Sequence, residues 1–380
     1  MKFAAILILS LILSGCGGEV DNATPPASLT EFTHTTSLNI VNEIPYGSSS
    51  SQYVRIKPLV LDNVIVFSDT KGTVSVFSKK DLSIHWQQMF DVNFTSAIGG
   101  DEHLYLLGTR GGEVLAINPI NGKLKWRVRV SSEVLARPVI SANTVIVKTI
   151  DGQITALDAN SGKQKWIYQR EVPALSVRGN SAPYILDDKV ITGLDNGKLV
   201  IINIDNGALF WEKTISVPRG RSEVERLVDL DADLVVNDSV IYIAGFQGRV
   251  VALDLNSGGF LWNKKMSVTS NMRLNDGKLY ITDVNSHLWS LDASTGATIW
   301  KQASFSSRKL TSPVIMDEYI LVADYQGYLH VLAKADGHLT GRLLVDDSGI
   351  DVDPIIIQDR IYVQSKQSVI HVLELNVSAL

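Results

Sequence analysis

The sequence predicts an all-β fold, an eight-bladed β-propeller of four-stranded blades, over residues 37–380. Three observations carry that prediction. Six tryptophans, Trp86, Trp126, Trp166, Trp211, Trp262 and Trp300, are spaced 40, 40, 45, 51 and 38 residues apart. Each closes a similar phrase, clearest in GQITALDANSGKQKW and GRVVALDLNSGGFLW, and two copies without Trp follow, GYLHVLAKADGHLTG and SVIHVLELN. Within each copy, short runs alternate polar and apolar residues between Gly, Asn and Asp turns, the pattern of half-buried strands joined tightly. Four short strands repeating roughly every 40 residues make a propeller blade.

The elements follow in chain order. Lys2, the apolar residues 3–13 and the small residues before Cys16 describe a secretory signal over residues 1–15. The apolar run is too short to span a bilayer as a permanent helix. Leu13-Ser14-Gly15-Cys16 resembles the bacterial lipobox, which implies a diacylated Cys16 at the mature N-terminus. Cys16 is the only cysteine, so the chain can form no internal disulfide. In Gram-negative lipoproteins an Asp directly after that cysteine resembles an inner-membrane retention signal. Gly17 stands there instead, which implies a lipid anchor at the periplasmic face of the outer membrane. Residues 16–36, polar with a Pro pair, read as a flexible tether. The stretch Leu38-Asn-Ile-Val-Asn-Glu-Ile reads as an outer strand with no blade of its own, while the eighth copy lacks a fourth strand. Pairing the two closes the ring and removes an exposed edge. A seven-bladed ring with a decorated end is the alternative.

Composition narrows the function. The net charge is −5 and the pI about 5.8, and no Lys/Arg-rich stretch offers a footprint for nucleic acid. The seven His carry no metal-ligand spacing and read as surface or turn residues. Asp346, Asp347, Asp351 and Asp353 fall short of a calcium loop, lacking its spacing and bidentate Glu. Ser306-x-x-Lys309 matches a nucleophile motif by letters alone. No phosphate-binding or dinucleotide fingerprint occurs. A cofactor other than the lipid on Cys16 is not expected, nor is a catalytic residue.

The recurring Trp has a structural reading: a flat ring fills the wedge between blades while its N–H takes a neighbouring carbonyl. The phrase Ala156-Leu157-Asp158…Ser161-Gly162…Trp166 resembles the tryptophan-docking motif of propellers related to quinoprotein dehydrogenases. Quinone-binding enzymes of that kind carry vicinal cysteines, which this chain lacks. Lipobox, eight repeats and length together resemble the outer-membrane protein assembly factor BamB family, over essentially the whole chain. Residues 173–183 (PALSVRGNSAP) are similar to that family's Leu-Arg-Gly-x-Ser-Ala-Pro stretch, and residues 226–231 (RLVDLD) to its Arg-Leu-x-Asp-x-Asp stretch. Val177 stands where the family has Leu, and Asp233 near where it tends to have Pro. The resemblance implies partner-binding residues at Leu175, Val177, Arg178, Asp229 and Asp231. It also implies a partner in the periplasmic domains of BamA and other assembly subunits, with unfolded outer-membrane proteins as a further class. The functional alternatives are a quinone-dependent dehydrogenase and a glycan-binding propeller.

The Trp spacing reaches the same region independently. The intervals of 45 and 51 residues are the longest, and both excesses fall between a Trp strand and the next blade. Connections of one type emerge on one face of a propeller, so two enlarged neighbours lie side by side, where long loops often carry function. Leu175 and Val177 offer apolar contact, Arg178 a planar fork of donors, and Asp229 and Asp231 acceptors. Equally, Arg178 paired with either Asp would tie the two loops together.

Overall fold

The computed structural model describes residues 24–48, 55–170, 181–218, 221–222, 227–230 and 232–377. Among them lie 32 strands and no helix, arranged as eight four-stranded sheets. Blades 1 to 7 run through residues 59–89, 99–129, 139–169, 184–214, 235–265, 273–302 and 314–344, with antiparallel strands in sequence order. Blade 8 takes three strands from residues 355–377, and its outer strand is Thr36–Pro45. The register runs from Thr36 opposite Val377 to Pro45 opposite Val369. The ring therefore has eight blades, closed by an antiparallel pair from the two ends of the chain.

The first strands of neighbouring blades approach one another around the axis, and the fourth strands form the rim. In blade 3 the strand Thr144–Lys148 is buried throughout, and in Gln153–Asp158 the four central residues are buried. The polar/apolar alternation anticipated for the third strand is thus absent. Ile154 and Ala156 face blade 4 while Leu157 packs against blade 2, because a blade wedged between two others has no solvent face. Alternation survives only in the rim strand Gln164–Gln169, where Trp166 and Tyr168 alone are buried. The core is correspondingly divided into interblade clusters. One joins Ile146, Ile154, Ala156, Trp166 and Tyr168 of blade 3 to Val190, Leu194, Val200, Ile202 and Ile204 of blade 4.

Each tryptophan docks on the following blade. The indole N–H groups of Trp86, Trp126, Trp166, Trp211, Trp262 and Trp300 donate to the carbonyls of Pro119, Ala159, Ile204, Leu255, Ala293 and Lys334, at 2.7–3.2 Å. Each of these carbonyls lies in or beside the turn before the next blade's rim strand. Four residues before the next blade's Trp position, that turn carries a glycine of positive φ; a Cβ on Gly207 (φ +71°) would stand 2.7 Å from Trp166 Cε3. Gly207→Ala is therefore expected to cost about 1–3 kcal/mol, through a strained backbone and an overpacked ring. A fall in urea midpoint on circular dichroism would check it.

The exceptions obey the same logic. Blade 8 receives its rim strand from the other end of the chain, so it has no such turn for blade 7 to clamp. Blade 7 accordingly has Gly341 at its Trp place, where a Cβ would meet Thr36 Oγ1 at 2.4 Å. Blade 1 has the turn, but the strand behind it, Thr36–Pro45, carries no Trp. Leu82 (φ +60°) replaces glycine there and packs into the cluster around Tyr46, Ile65 and Phe77.

The described part of the stretch read as a tether, residues 24–35, lies against blade 7. Ala27 N–H donates to Ser306 O and Thr35 N–H to Thr340 O. Arg308 Nη1 and Arg342 Nη2 donate to the carbonyls of Ala27 and Thr30 at 2.9 and 2.6 Å, and Arg342 stacks on Phe32. Behind Arg308 lies a buried cluster around His330, one of the histidines expected at the surface or in turns. Asp324 Oδ2 accepts from Arg308 Nε at 2.6 Å and lies 2.9 Å from His330 Nε2, and all three residues are at most 2% exposed. His371 is buried too, 2.9 Å from Glu43 and 3.0 Å from Asp346 across the ring closure. Both histidines sit on third strands, between two blades, and not at turns.

Candidate functional site

Six connections lead from a rim strand to the next blade's first strand with both ends in blades 1 to 7. Four are short, at residues 90–98, 130–138, 266–272 and 303–313; the other two are long, at residues 170–183 and 215–234. They leave blades 3 and 4 on the same face. Of the residues read as partner-binding, Leu175, Val177, Arg178 and Asp231 lie outside the described residues, as does Cys16. Asp229 lies within them.

The feet of both connections are fixed. At the start of the first, Arg170 lies 3.6 Å from Glu212, which also takes Lys198 at 2.7 Å, and stacks on Tyr168. Hydrogen bonds from Lys198 and charge from both cations hold the Glu212 carboxyl below the usual range. The second starts with the N–H groups of Ile215 and Ser216 on Gly197 O. The two connections end tied together, because Asp233 Oδ1 accepts the Ala182 N–H at 2.8 Å. Asp233 also donates its own N–H to Asn271 Oδ1 and accepts from Asn271 Nδ2, each at 2.9 Å. Asp233 is therefore built into the loop's exit, since a Pro there could not donate that N–H.

Asp229 forms an isolated antiparallel bridge with Phe246, whose N–H donates to Asp229 O at 2.8 Å. Glycines elsewhere make room for it. A Cβ on Gly245 would meet Asp229 O at 2.4 Å, and one on Gly193 would meet Leu230 Cβ at 2.5 Å. Asp229 is 0% exposed, and neither carboxylate oxygen has a hydrogen-bond partner among the described residues. A buried carboxylate without donors is costly, on the order of several kcal/mol. Beside it, a groove of about 480 Å³ is lined by Val217, Gln247, Arg249, Phe260, Asn263 and Lys265. Val217 and Phe260 are 58% and 43% exposed, giving the groove an apolar floor with a basic edge. Arg249 and Phe260 belong to the blade 5 repeat phrase, but Val217 comes from the long connection, so the repeat alone does not assemble the groove.

The weaker chemical candidates are occupied in other ways. Ser306 Oγ lies 3.3 Å from His287 Nε2, and His287 Nδ1 3.0 Å from Asp283 Oδ2, an arrangement resembling a nucleophile relay. The Ser306 hydroxyl, however, donates to Ala303 O at 3.0 Å. Asp283 spends its oxygens on the N–H groups of Asn285 and His287 and the Trp289 indole. Lys309 rests on the Tyr325 ring. Asp346 and Asp353 serve His371 and Lys57 respectively.

Known proteins place this arrangement. The family described as "Outer membrane protein assembly factor BamB" matches residues 70–302. The chain belongs to the BamB family. It is 32% identical to the outer membrane protein assembly factor BamB of Bordetella pertussis, over 95% of this chain and 94% of that one. Among solved structures, BamB from Moraxella catarrhalis superimposes with a TM-score of 0.81 at 27% identity, covering 89% of this chain and 99% of that one. A europium-containing methanol dehydrogenase, at 12% identity and a TM-score of 0.73 over 86% of this chain and 84% of that one, shares the fold alone. The PQQ-like repeat and the eight-bladed ring are thus those of the BamB family.

Proposed function

We propose that this chain is a non-catalytic scaffold subunit of the outer-membrane β-barrel assembly complex, binding the periplasmic domains of BamA and aiding insertion of outer-membrane proteins. In this reading the acylated Cys16 holds the ring at the periplasmic face of the outer membrane, and no other cofactor is needed. The observation that carries it is the pair of enlarged, mutually tied connections on one face of a ring otherwise joined by short links. End-to-end similarity to proteins named as assembly factors supports it. Leu175, Val177, Arg178 and Asp231 are the contacts. Asp229, closed from solvent at the loop's foot, acts by supplying the acceptor that orders the loop.

The test is co-purification of BamA from membranes with the wild-type chain and with a variant carrying Arg178→Ala, Asp229→Ala and Asp231→Ala. The folded variant is expected to lose at least nine-tenths of the bound BamA. Retention by the folded variant would sink the loop assignment, and a wild-type chain bringing down no BamA would sink the scaffold reading.

A further inference from the structure

The central channel opens beside the start of the first strands, and the residue two places before each strand lines up around the ring. From blade 4 to blade 8 these residues are Ala182, Asp233, Asn271, Ser312 and Asp353. They form a running chain of hydrogen bonds. The N–H of Ala182 donates to Asp233, that of Asp233 to Asn271, that of Asn271 to Ser312 and that of Ser312 to Asp353, all at 2.8–2.9 Å. Each blade's backbone donor is thus satisfied by the next blade's side chain.

The remaining arc cannot continue the chain. Beyond Asp353 the equivalent positions are Lys57, Ala97 and Arg137 before Ala182 is reached again, and none of these side chains is an acceptor. The N–H groups of Asp353, Lys57, Ala97 and Arg137 donate no hydrogen bond among the described residues. The mouth holds a cavity of about 310 Å³ lined from both arcs, with Arg55, Lys57 and Arg137 on this one facing Asp233, Arg273 and Asp353 on the other. Asp353 is already engaged by Lys57 at 2.7 Å and approached by Arg273 at 3.9 Å. Arg55 and Arg137 are exposed and form no ion pair within 4 Å among the described residues, the charge of Arg55 acting at longer range on the Asp351 carboxyl. Free guanidinium groups and successive unpaired N–H groups are what oxyanions bind.

We propose that this arc of the channel mouth is a binding site for a compact oxyanion, a phosphate or carboxylate group, held by Arg55, Arg137 and the N–H groups of Lys57, Ala97 and Arg137. The ring's own pattern defines the ligand: it replaces the acceptor side chains that blades 5 to 8 supply and blades 1 to 4 lack.

Calorimetric titration of the detergent-solubilised full chain at low ionic strength, with inorganic phosphate in one arm and citrate in the other, tests this. Saturable one-to-one binding of at least one anion is expected, and the arm that binds identifies the group. Arg137→Ala is expected to weaken it at least tenfold, with no change in melting temperature in the absence of anion. Ala97→Asp places an acceptor where Asp233 and Asp353 stand in their own blades, and is expected to abolish binding. Should that second variant fail to fold, Arg137→Ala decides alone. Absence of saturable binding of either anion, or binding that Arg137→Ala leaves intact, overturns the proposal.

Discussion

Replacing Trp166 with Ala is expected to lower stability by about 3–5 kcal/mol, the range for deleting a buried aromatic ring from a core. Trp166 is 8% exposed and forms the outer wall of the cluster joining blades 3 and 4. Its loss opens a cavity against Gly207, whose missing Cβ leaves nothing to collapse into the space. It also strips Ile204 O of the indole donor at 2.8 Å, and an orphaned buried acceptor adds its desolvation penalty. Trp166→Phe separates the two losses: it keeps most of the apolar contact, removes the donor, and is expected to cost about 1–3 kcal/mol. Urea unfolding followed by circular dichroism reads both, as a lower midpoint at unchanged slope. If Trp166→Ala shifted the midpoint no more than a surface substitution, the tryptophans would not be what joins the blades. Because the two long connections leave blades 3 and 4, Trp166→Ala is also expected to weaken BamA capture before the ring unfolds.

The ring was legible in the sequence because its parts repeat. Trp, the positive-φ glycine four residues earlier and the Asp-containing turn recur together, and the unpaired strand before the first copy pointed to the closure. Even the irregular copies carry their reasons, since Gly341 and Leu82 mark the two places where the Trp–turn clamp cannot form. The third strands were misjudged, because alternation assumes one wet face and a blade inside a ring has none. The location of the enlarged connections came from two long intervals, but the setting of Asp229 did not. Its burial depends on Gly193, at the end of a strand 36 residues away, and Gly245, 16 residues away, leaving room for residues 229 and 230. The channel mouth was hidden for the opposite reason. The ring position two residues before each first strand differs from blade to blade, so searching for the repeat discards the variation that gives the mouth its charge.

The buried cluster of blade 7 is the second place where one atom governs several kilocalories. Asp324→Asn is expected to cost about 3–5 kcal/mol, because it leaves the Arg308 guanidinium buried without a counter-charge. The Arg308 side chain is 3% exposed and its Nε–H donates to Asp324 at 2.6 Å, so water cannot replace the carboxylate without opening the blade. The native pKa values set a matching pH dependence. Burial pushes the Asp324 carboxyl up, but bonds and charge from His330 and Arg308 more than offset it and hold the group below its ordinary 3.8. Burial, only partly countered by Asp324, holds His330 below its ordinary 6.5. Both groups therefore bind protons less readily in the folded ring than in the unfolded chain, and stability falls as the pH drops. The His330 contribution begins to be lost below about pH 6.5 and that of Asp324 below about pH 3.8. Urea midpoints measured from pH 7.5 to 5 are expected to decline for the wild type. In His330→Gln, which keeps a polar side chain of similar reach but does not titrate, that decline should shrink. An unchanged slope in His330→Gln would assign the acid sensitivity to other groups. Because Arg308 also holds Ala27 O, Asp324→Asn should expose the chain near Ala27 to limited proteolysis. Release of that segment would then report the broken ion pair at protein concentrations too low for calorimetry.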